Sequence, residues 1–302
     1  MKKRTIPFMF IQFFLVALLS KSFAATPDLD IKSEVRKIIL FQKSYSDLIW
    51  ETDFDRKEID WVMTVTIPGE NKSATFYWCH GRMLPPEELP NKEKYSPLLY
   101  KYEKNVRDPA DYTEDEKQRL KDFSSSENRL NGPGTPMFFF DFLYDSYTRA
   151  TIEPHIKRIK FLGKSTKVHE RIVNVLRDVE NSIIMTSLYD PAVQSFLKNI
   201  ESADAFYWRE IAGTNRKSFH SLGIAIDILP LKLSGKEIFW GWAQRHNPQG
   251  WMLTPLSNRW SPPQNVISIF EANGFIWGGK WAIWDNMHFE YHPELINYNF
   301  NF

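Results

Sequence analysis

The sequence predicts an α+β fold in which a small antiparallel sheet is flanked by helices, with an accessory region ahead of it. Three observations carry this expectation. Short runs alternate apolar and polar residues, as in Trp61–Ile67 and Ile224–Ile228, which is the period of a half-buried strand. Other apolar residues recur at three- and four-residue steps, as in Val168, Ile172, Leu176, Val179 and Ile183, which is the stripe of an amphipathic helix. The two kinds of run are not arranged as regular βαβ units, and no glycine-rich phosphate loop accompanies them, which argues against a doubly wound nucleotide fold.

In chain order, residues 1–24 are read as an export signal. Lys2, Lys3 and Arg4 precede the apolar run Phe8–Leu19, and Ser22 and Ala24 are small residues spaced for signal-peptidase cleavage. The run is short for a spanning helix, which needs about 20 apolar residues. The expected location is therefore periplasmic or secreted, with no stable membrane insertion after cleavage. Residues 25–136 form the accessory region. Trp61–Ile67 and Ala74–Cys79 flank the turn cluster Pro68–Lys72 as a hairpin. Asp111–Asp122 reads as a solvated helix face, and the Ser-, Asn-, Gly- and Pro-rich stretch 124–136 as a linker or long loop. Residues 137–302 are expected to form the main domain. The helical stripe from Val168 comes first; Asp190-Pro191 then caps a second helix with Val193, Phe196, Leu197 and Ile200 on its inner face. Ile224–Ile228 is a strand with Asp227 on its opposite face. Ser261-Pro262 opens a further helix that Asn273-Gly274 closes, and Phe275–Trp277 and His288–Tyr291 are strands.

Composition narrows the function classes. The 302 residues carry 38 Lys plus Arg against 37 Asp plus Glu, too even a balance for a nucleic-acid binder that works through phosphate charge. Loss of residues 1–24 removes four cations and no acid and takes the net charge from +1 to −3. A single cysteine excludes an internal disulfide framework and a multi-cysteine zinc ribbon. Cys79 itself reads as a buried, inert thiol at a strand end. Eight of the 11 tryptophans lie beyond residue 200, which marks that region as a thick core or a contact groove.

Two histidines keep unusual company. His220 precedes a strand that contains Asp227, and a chain turn at Gly223 brings the two together. Much later, Asp285 stands three residues ahead of His288 on another strand. Two imidazoles and one carboxylate make a three-ligand zinc set with an open fourth position, the pattern of catalytic zinc. Asp285 is then left over to take a proton from water.

Ser218, His220, Gly223, Ala225 and Asp227 match the S-x-H-x-x-G-x-A-x-D signature at all five fixed positions. With each position matching by chance roughly once in fifteen to twenty, one start agrees by chance about once in a million. Asp285-Asn-Met-His288 matches a second block, and Gly274–Gly279 adds an aromatic Gly-Phe-x-Trp-Gly-Gly stretch between the two. On these motifs the chain resembles the zinc D-Ala-D-Ala carboxypeptidases and L-Ala-D-Glu endopeptidases that cut peptidoglycan stem peptides, the VanY-like metallopeptidases. The resemblance covers residues 190–302, with a motif core of 202–292, and does not reach residues 25–136.

The resemblance implies a hedgehog/D-Ala-D-Ala metallopeptidase-like fold, a Zn2+ cofactor and a peptidoglycan peptide substrate. It makes His220, Asp227 and His288 the metal ligands and Asp285 the general base. Family members that are carboxypeptidases usually have Glu at that base position, and Asp is similar to the endopeptidase branch. The family's substrate-binding Arg corresponds to Arg209 in Tyr207-Trp208-Arg209, with Arg216 as its rival. Glu290 shares a strand face with His288 and is expected to orient a ligand imidazole. His288–His292 is not the helical H-E-x-x-H motif, because its acid sits one position late and Pro293 follows. Ser218 is grouped with Glu290 behind the ligands, and Trp281 and Trp284 are expected to wall the substrate cleft. The other function class that fits is a non-catalytic peptidoglycan-binding protein retaining the fold.

Overall fold

A computed structural model describes residues 31–300, so the export signal read at 1–24 lies outside the described residues. Helix α1 (Ile31–Ser44) leads into strands β1 (Ile49–Asp55), β2 (Asp60–Ile67) and β3 (Lys72–Tyr77), an antiparallel sheet in that order. The hairpin expected from alternation is β2–β3, with Val62 facing Tyr77 and Ile67 facing Lys72. Strand β1 escaped the pattern because most of its side chains are exposed. Next come α2 (Glu114–Ser124) and α3 (Ser126–Asn131). Helix α2 opens with a reciprocal cap between Thr113 and Glu116.

The stretch 124–136 is not the loose linker its composition suggests. Ser125 accepts the Asn128 N–H as the N-cap of α3, so this serine acts here as a helix cap. The Arg216 guanidinium donates to Arg129 O at 2.9 Å and to Pro133 O at 3.2 Å, tying the stretch to the later chain. Nor does the core divide near residue 136. Phe41, Met63 and Phe76 belong to the same hydrophobic cluster as Phe139, Ile226, Phe270 and Phe289.

Helices α4 (Phe138–Tyr144) and α5 (Arg149–Ile152) precede β4 (Ile156–Phe161) and β5 (Lys164–His169), an antiparallel hairpin. This hairpin corrects the helix expected from Val168. The apolar stripe is real, since all five of its residues are buried. However, Val168 ends β5, Ile172 sits in a 3₁₀ turn, and the helix α6 (Val173–Ser187) starts only at Val173. The hairpin was hidden by its turn residues. Leu162 (φ 48°) and Gly163 (φ 80°) both take positive φ, as a two-residue primed turn requires, but Leu is a rare first residue there. Burial of Leu162 and a 2.6 Å bond from its N–H to the Glu180 carboxylate offset that strain.

The remaining elements are α7 (Pro191–Lys198), β6 (Ile200–Asp204), β7 (Ala225–Pro230), α8 (Trp240–His246), α9 (Gln264–Ala272), β8 (Phe275–Trp277), β9 (His288–Tyr291) and α10 (Pro293–Phe300). Asp190 caps α7 as expected, accepting from Ala192 N–H and Val193 N–H. Helix α9 starts at Gln264, two residues later than Pro262 suggested, because Pro263 remains extended as its N-cap. The four strands form one antiparallel sheet in the order β6-β7-β9-β8. The architecture is mixed helix and antiparallel sheet, as expected, with three small sheets among the described residues. Among the described residues, no helix is long and apolar enough to cross a membrane.

His169 links β5 to the four-stranded sheet. Its backbone N–H donates to Gly223 O, its ring Nε2–H donates to Tyr144 O at 3.1 Å, and its Nδ1 accepts the Arg171 N–H. The neutral ring satisfies both bonds, and burial pushes its pKa down to about 4. The unfolded chain, near pKa 6.5, therefore takes up this proton first as pH falls. The stabilisation is complete above pH 6.5 and is lost on descent towards 4. Between pH 7 and 5 the protein should lose about 2 kcal/mol more stability than a His169→Gln variant. Urea titrations at the two pH values measure this, and parallel losses in both proteins would count against it.

Candidate metal centre

The first ligand is presented by a 3₁₀ turn, Phe219–Leu222. Ser218 caps the turn, its Oγ accepting the His220 N–H at 3.3 Å. Gly223 ends it in the left-handed region at φ 68°. A β-carbon there would stand 2.8 Å from the His169 backbone nitrogen and 2.8 Å from Ile156 Cδ1. Both conformation and space therefore demand glycine. Gly223→Ala is expected to cost about 2 kcal/mol or more, because a backbone atom cannot move aside as a flexible side chain can. An unchanged denaturation midpoint would refute that account of the turn.

The other two ligands come from the sheet. Asp227 on β7 lies directly opposite His288 on β9 in the antiparallel register. Cross-strand neighbours on one face have side chains about 5 Å apart, so pairing alone brings the carboxylate to the imidazole. The Asp227 oxygens lie 2.7 Å from His288 Nδ1 and 3.3 Å from His220 Nε2, and the two ring nitrogens are 3.3 Å apart.

These donors fit zinc. The His220 Nδ1 faces Ala205 O at 2.6 Å, and a carbonyl can only accept, so this nitrogen carries the proton. Nε2 is then a lone pair in the neutral ring. Likewise His288 Nε2 donates to the Glu290 carboxylate at 2.8 Å, which makes Nδ1 the lone pair once the ring gives up its second proton to a metal. Two lone pairs and a carboxylate then converge with no donor among them, an arrangement that calls for a cation. Ligands about 2.0–2.1 Å from a tetrahedral zinc lie about 3.3 Å from one another, which matches the two separations that involve His220. Among the described residues this is the one cluster of three or more His, Cys, Asp or Glu placed to hold a metal. Electrostatics agree. Burial opposes the Asp227 charge, yet the facing imidazoles hold its carboxyl well below the usual range. Burial also opposes the His288 charge, but Asp227 and Glu290 hold its pKa well above the ordinary value, so the ring keeps its Nδ1 proton until a cation takes that place.

Asp285 is half-buried beside this cluster. Its N–H donates to Gly278 O at 3.0 Å, and its carbonyl accepts the His288 N–H at 3.4 Å. Its carboxyl Oδ1 has no hydrogen-bond partner in the protein. Burial raises its pKa to about 7, with His288 opposing and Asp227 adding to the shift. A carboxyl that exchanges its proton near neutrality is suited to acid–base work.

Glu290 has the expected position behind His288, and the network continues past it. Glu290 accepts from His292 Nε2 at 3.2 Å, His292 Nδ1 faces Glu294 at 2.7 Å, and the Tyr45 hydroxyl donates to Glu294 at 2.6 Å. His292 is therefore a buried, hydrogen-bonded member of this chain. Strand period two links His288, Glu290 and His292 in the sequence, but nothing local points to Tyr45 on the far N-terminal side.

The two tryptophans part ways. Trp281 is half-buried, with its ring centroid 5.5 Å from that of His288. Trp284 is no cleft wall: it is 1% exposed, packed with Trp240 and Trp251 in a second small core and covered by the Arg259 guanidinium at 4.4 Å. Its bulky apolar ring fills that core, which is the commoner fate of a tryptophan. The two arginines also separate. Arg216 is committed to the carbonyls of residues 129 and 133. Arg209 is clamped by its backbone, its N–H donating to Ser221 Oγ at 2.8 Å and its carbonyl accepting from the same hydroxyl at 2.7 Å. Its guanidinium makes only a 3.4 Å bond to Glu210 O. Ser221, next to the first ligand, was not singled out in the sequence, and its hydroxyl fixes the irregular segment at Arg209 against the ligand turn. Cys79 is buried, and burial pushes its thiol pKa up, as expected of an inert thiol.

The comparisons with known proteins bear on two parts of the chain. Residues 37–100 match a model for a domain of unknown function. No curated protein and no solved structure matches the chain. The segment bearing all three ligands and Asp285, residues 212–291, matches the model of a family described as D-alanyl-D-alanine carboxypeptidase, and it is to these zinc peptidases that this part of the chain is similar.

Proposed function

We propose that the chain is a zinc-dependent peptidase that hydrolyses peptidoglycan stem peptides, as an L-Ala-D-Glu endopeptidase or a D-Ala-D-Ala carboxypeptidase. The observation that carries the reading is the convergence of His220, Asp227 and His288 beside a half-buried carboxyl, Asp285, whose pKa is raised to about 7. The family match over residues 212–291 supports it. A bound zinc ion supplies Lewis-acid polarisation of a carbonyl and acidifies water at neutral pH. Asp285 accepts the proton of the attacking water and hands it to the leaving amine. Arg209, whose guanidinium has no carboxylate partner among the described residues, binds a substrate carbonyl or carboxylate. Glu290 fixes the tautomer and orientation of His288.

The complete ligand set and the acid favour an enzyme over a wall-binding module that merely retains the fold. In this reading residues 1–24 direct export to the periplasm or exterior, 25–136 are the accessory region, and 137–302 the catalytic domain. Purified muropeptides incubated with the zinc-loaded protein and weighed by mass spectrometry separate the two activities. Loss of one alanine identifies the carboxypeptidase, and cleavage after L-Ala the endopeptidase. Binding without any new product would leave only the module.

A further inference from the structure

A cavity of about 480 Å³ lies between the N-terminal region and the loop that joins β8 to β9. Arg107, Tyr112, Arg119 and Leu120 line one side, and Arg259 and Trp281 the other. Trp281 joins this cavity to the metal centre, since the same ring lies 5.5 Å from that of His288. The cavity is therefore next to the proposed chemistry and walled in part by residues of the accessory region.

Its charges do not balance. Arg107 pairs with Glu116, Lys280 pairs with Glu271 at 2.5 Å, and Glu103 pairs with Lys101 at 2.5 Å. That leaves Arg119 and Arg259 as the lining cations that have no carboxylate partner among the described residues. Arg119 is exposed. Arg259 is only 4% exposed, and its guanidinium donates to Thr254 O at 3.0 Å and Met252 O at 3.5 Å, both neutral acceptors. A buried guanidinium without an anion is costly, and its planar fork matches a carboxylate. The Tyr112 ring, 5.0 Å from the Arg107 guanidinium, adds a polar aromatic wall.

We propose that this cavity is a substrate subsite that takes a peptide carboxylate, bound by Arg259 and Arg119, so that the accessory region contributes directly to substrate recognition. The choice of a stem peptide as the carboxylate's carrier rests on the peptidase reading above.

The test uses the full chain, zinc-loaded, with Asp285→Asn to prevent turnover. The probe is the pentapeptide L-Ala-γ-D-Glu-L-Lys-D-Ala-D-Ala, compared by calorimetry with the same peptide carrying both carboxyls as carboxamides. The free acid should bind about tenfold tighter than the amide, the gain expected of charge-assisted hydrogen bonds. Arg119→Ala should reduce that preference about threefold, as suits an exposed cation, and leave the amide's affinity unchanged. Arg259→Lys should reduce it further. Because Arg259 is buried and packed on Trp284, the exposed Arg119 variant keeps the test decisive if Arg259→Lys fails to fold. Equal binding of acid and amide, or equal loss of both in Arg119→Ala, overturns the proposal. Muropeptide hydrolysis alongside equal binding would remove the subsite and leave the peptidase reading intact. Carboxylate preference dependent on Arg119, in a protein that hydrolyses nothing, would keep the subsite and remove the peptidase reading.

Discussion

His220→Ala should lose zinc and peptidase activity together. The imidazole supplies one of only three protein donors, and its Nε2 stands 3.3 Å from both Asp227 and His288. Changing even the outer partners of a metal site lowers affinity about 10–100-fold, so removal of a ligand should exceed about 100-fold. Metal analysis after gel filtration checks the binding, and muropeptide assays check the rate. The fold should survive, because the four-stranded sheet is held by its ladder and by Ile224, Ile226 and Ile228, which are at most 1% exposed. A variant that keeps one zinc per chain would show that the metal is held elsewhere.

Asp285→Asn should do the opposite on one axis, keeping zinc and losing turnover. The side chain is not one of the three converging donors, and its Oδ1 is bonded to nothing in the protein. Asn has nearly the same shape and removes the titrating proton, so the change isolates acid–base function. The expected fall in kcat is about 10²–10⁴-fold, the range for a positioned general base. KM should change little. Loss of zinc in this variant would recast Asp285 as a ligand or as structural support for one.

How much of this was legible in the sequence depends on range. His220, Gly223 and Asp227 lie within eight residues, where turn chemistry and strand alternation leave a readable pattern. Asp285, His288 and Glu290 are readable for the same reason. What the sequence hides comes from distant chain. Ala205 contributes a backbone carbonyl, which no residue pattern encodes. Tyr45 reaches Glu294 across 249 positions. Tyr102, in the accessory region, accepts the Trp277 N–H at 2.9 Å and donates to Glu271 at 2.5 Å, bracing the strand and helix next to the Asp285 loop. Trp284 stands next to Asp285 in sequence but faces the second core, because neighbours in an irregular segment need not share a face. The β4–β5 hairpin was missed for a local reason, its Leu-Gly turn, while the stripe overlapping it correctly marked five buried residues.

The most direct test of the account is one comparison of product masses. The full chain, stripped with chelator and then divided, is incubated with muropeptides either without metal or with one equivalent of zinc. A new peptide fragment should form only in the zinc-loaded sample, and His220→Ala should yield none under the same loading. Equal cleavage by the stripped protein would contradict the assignment of His220, Asp227 and His288 as a catalytic metal site.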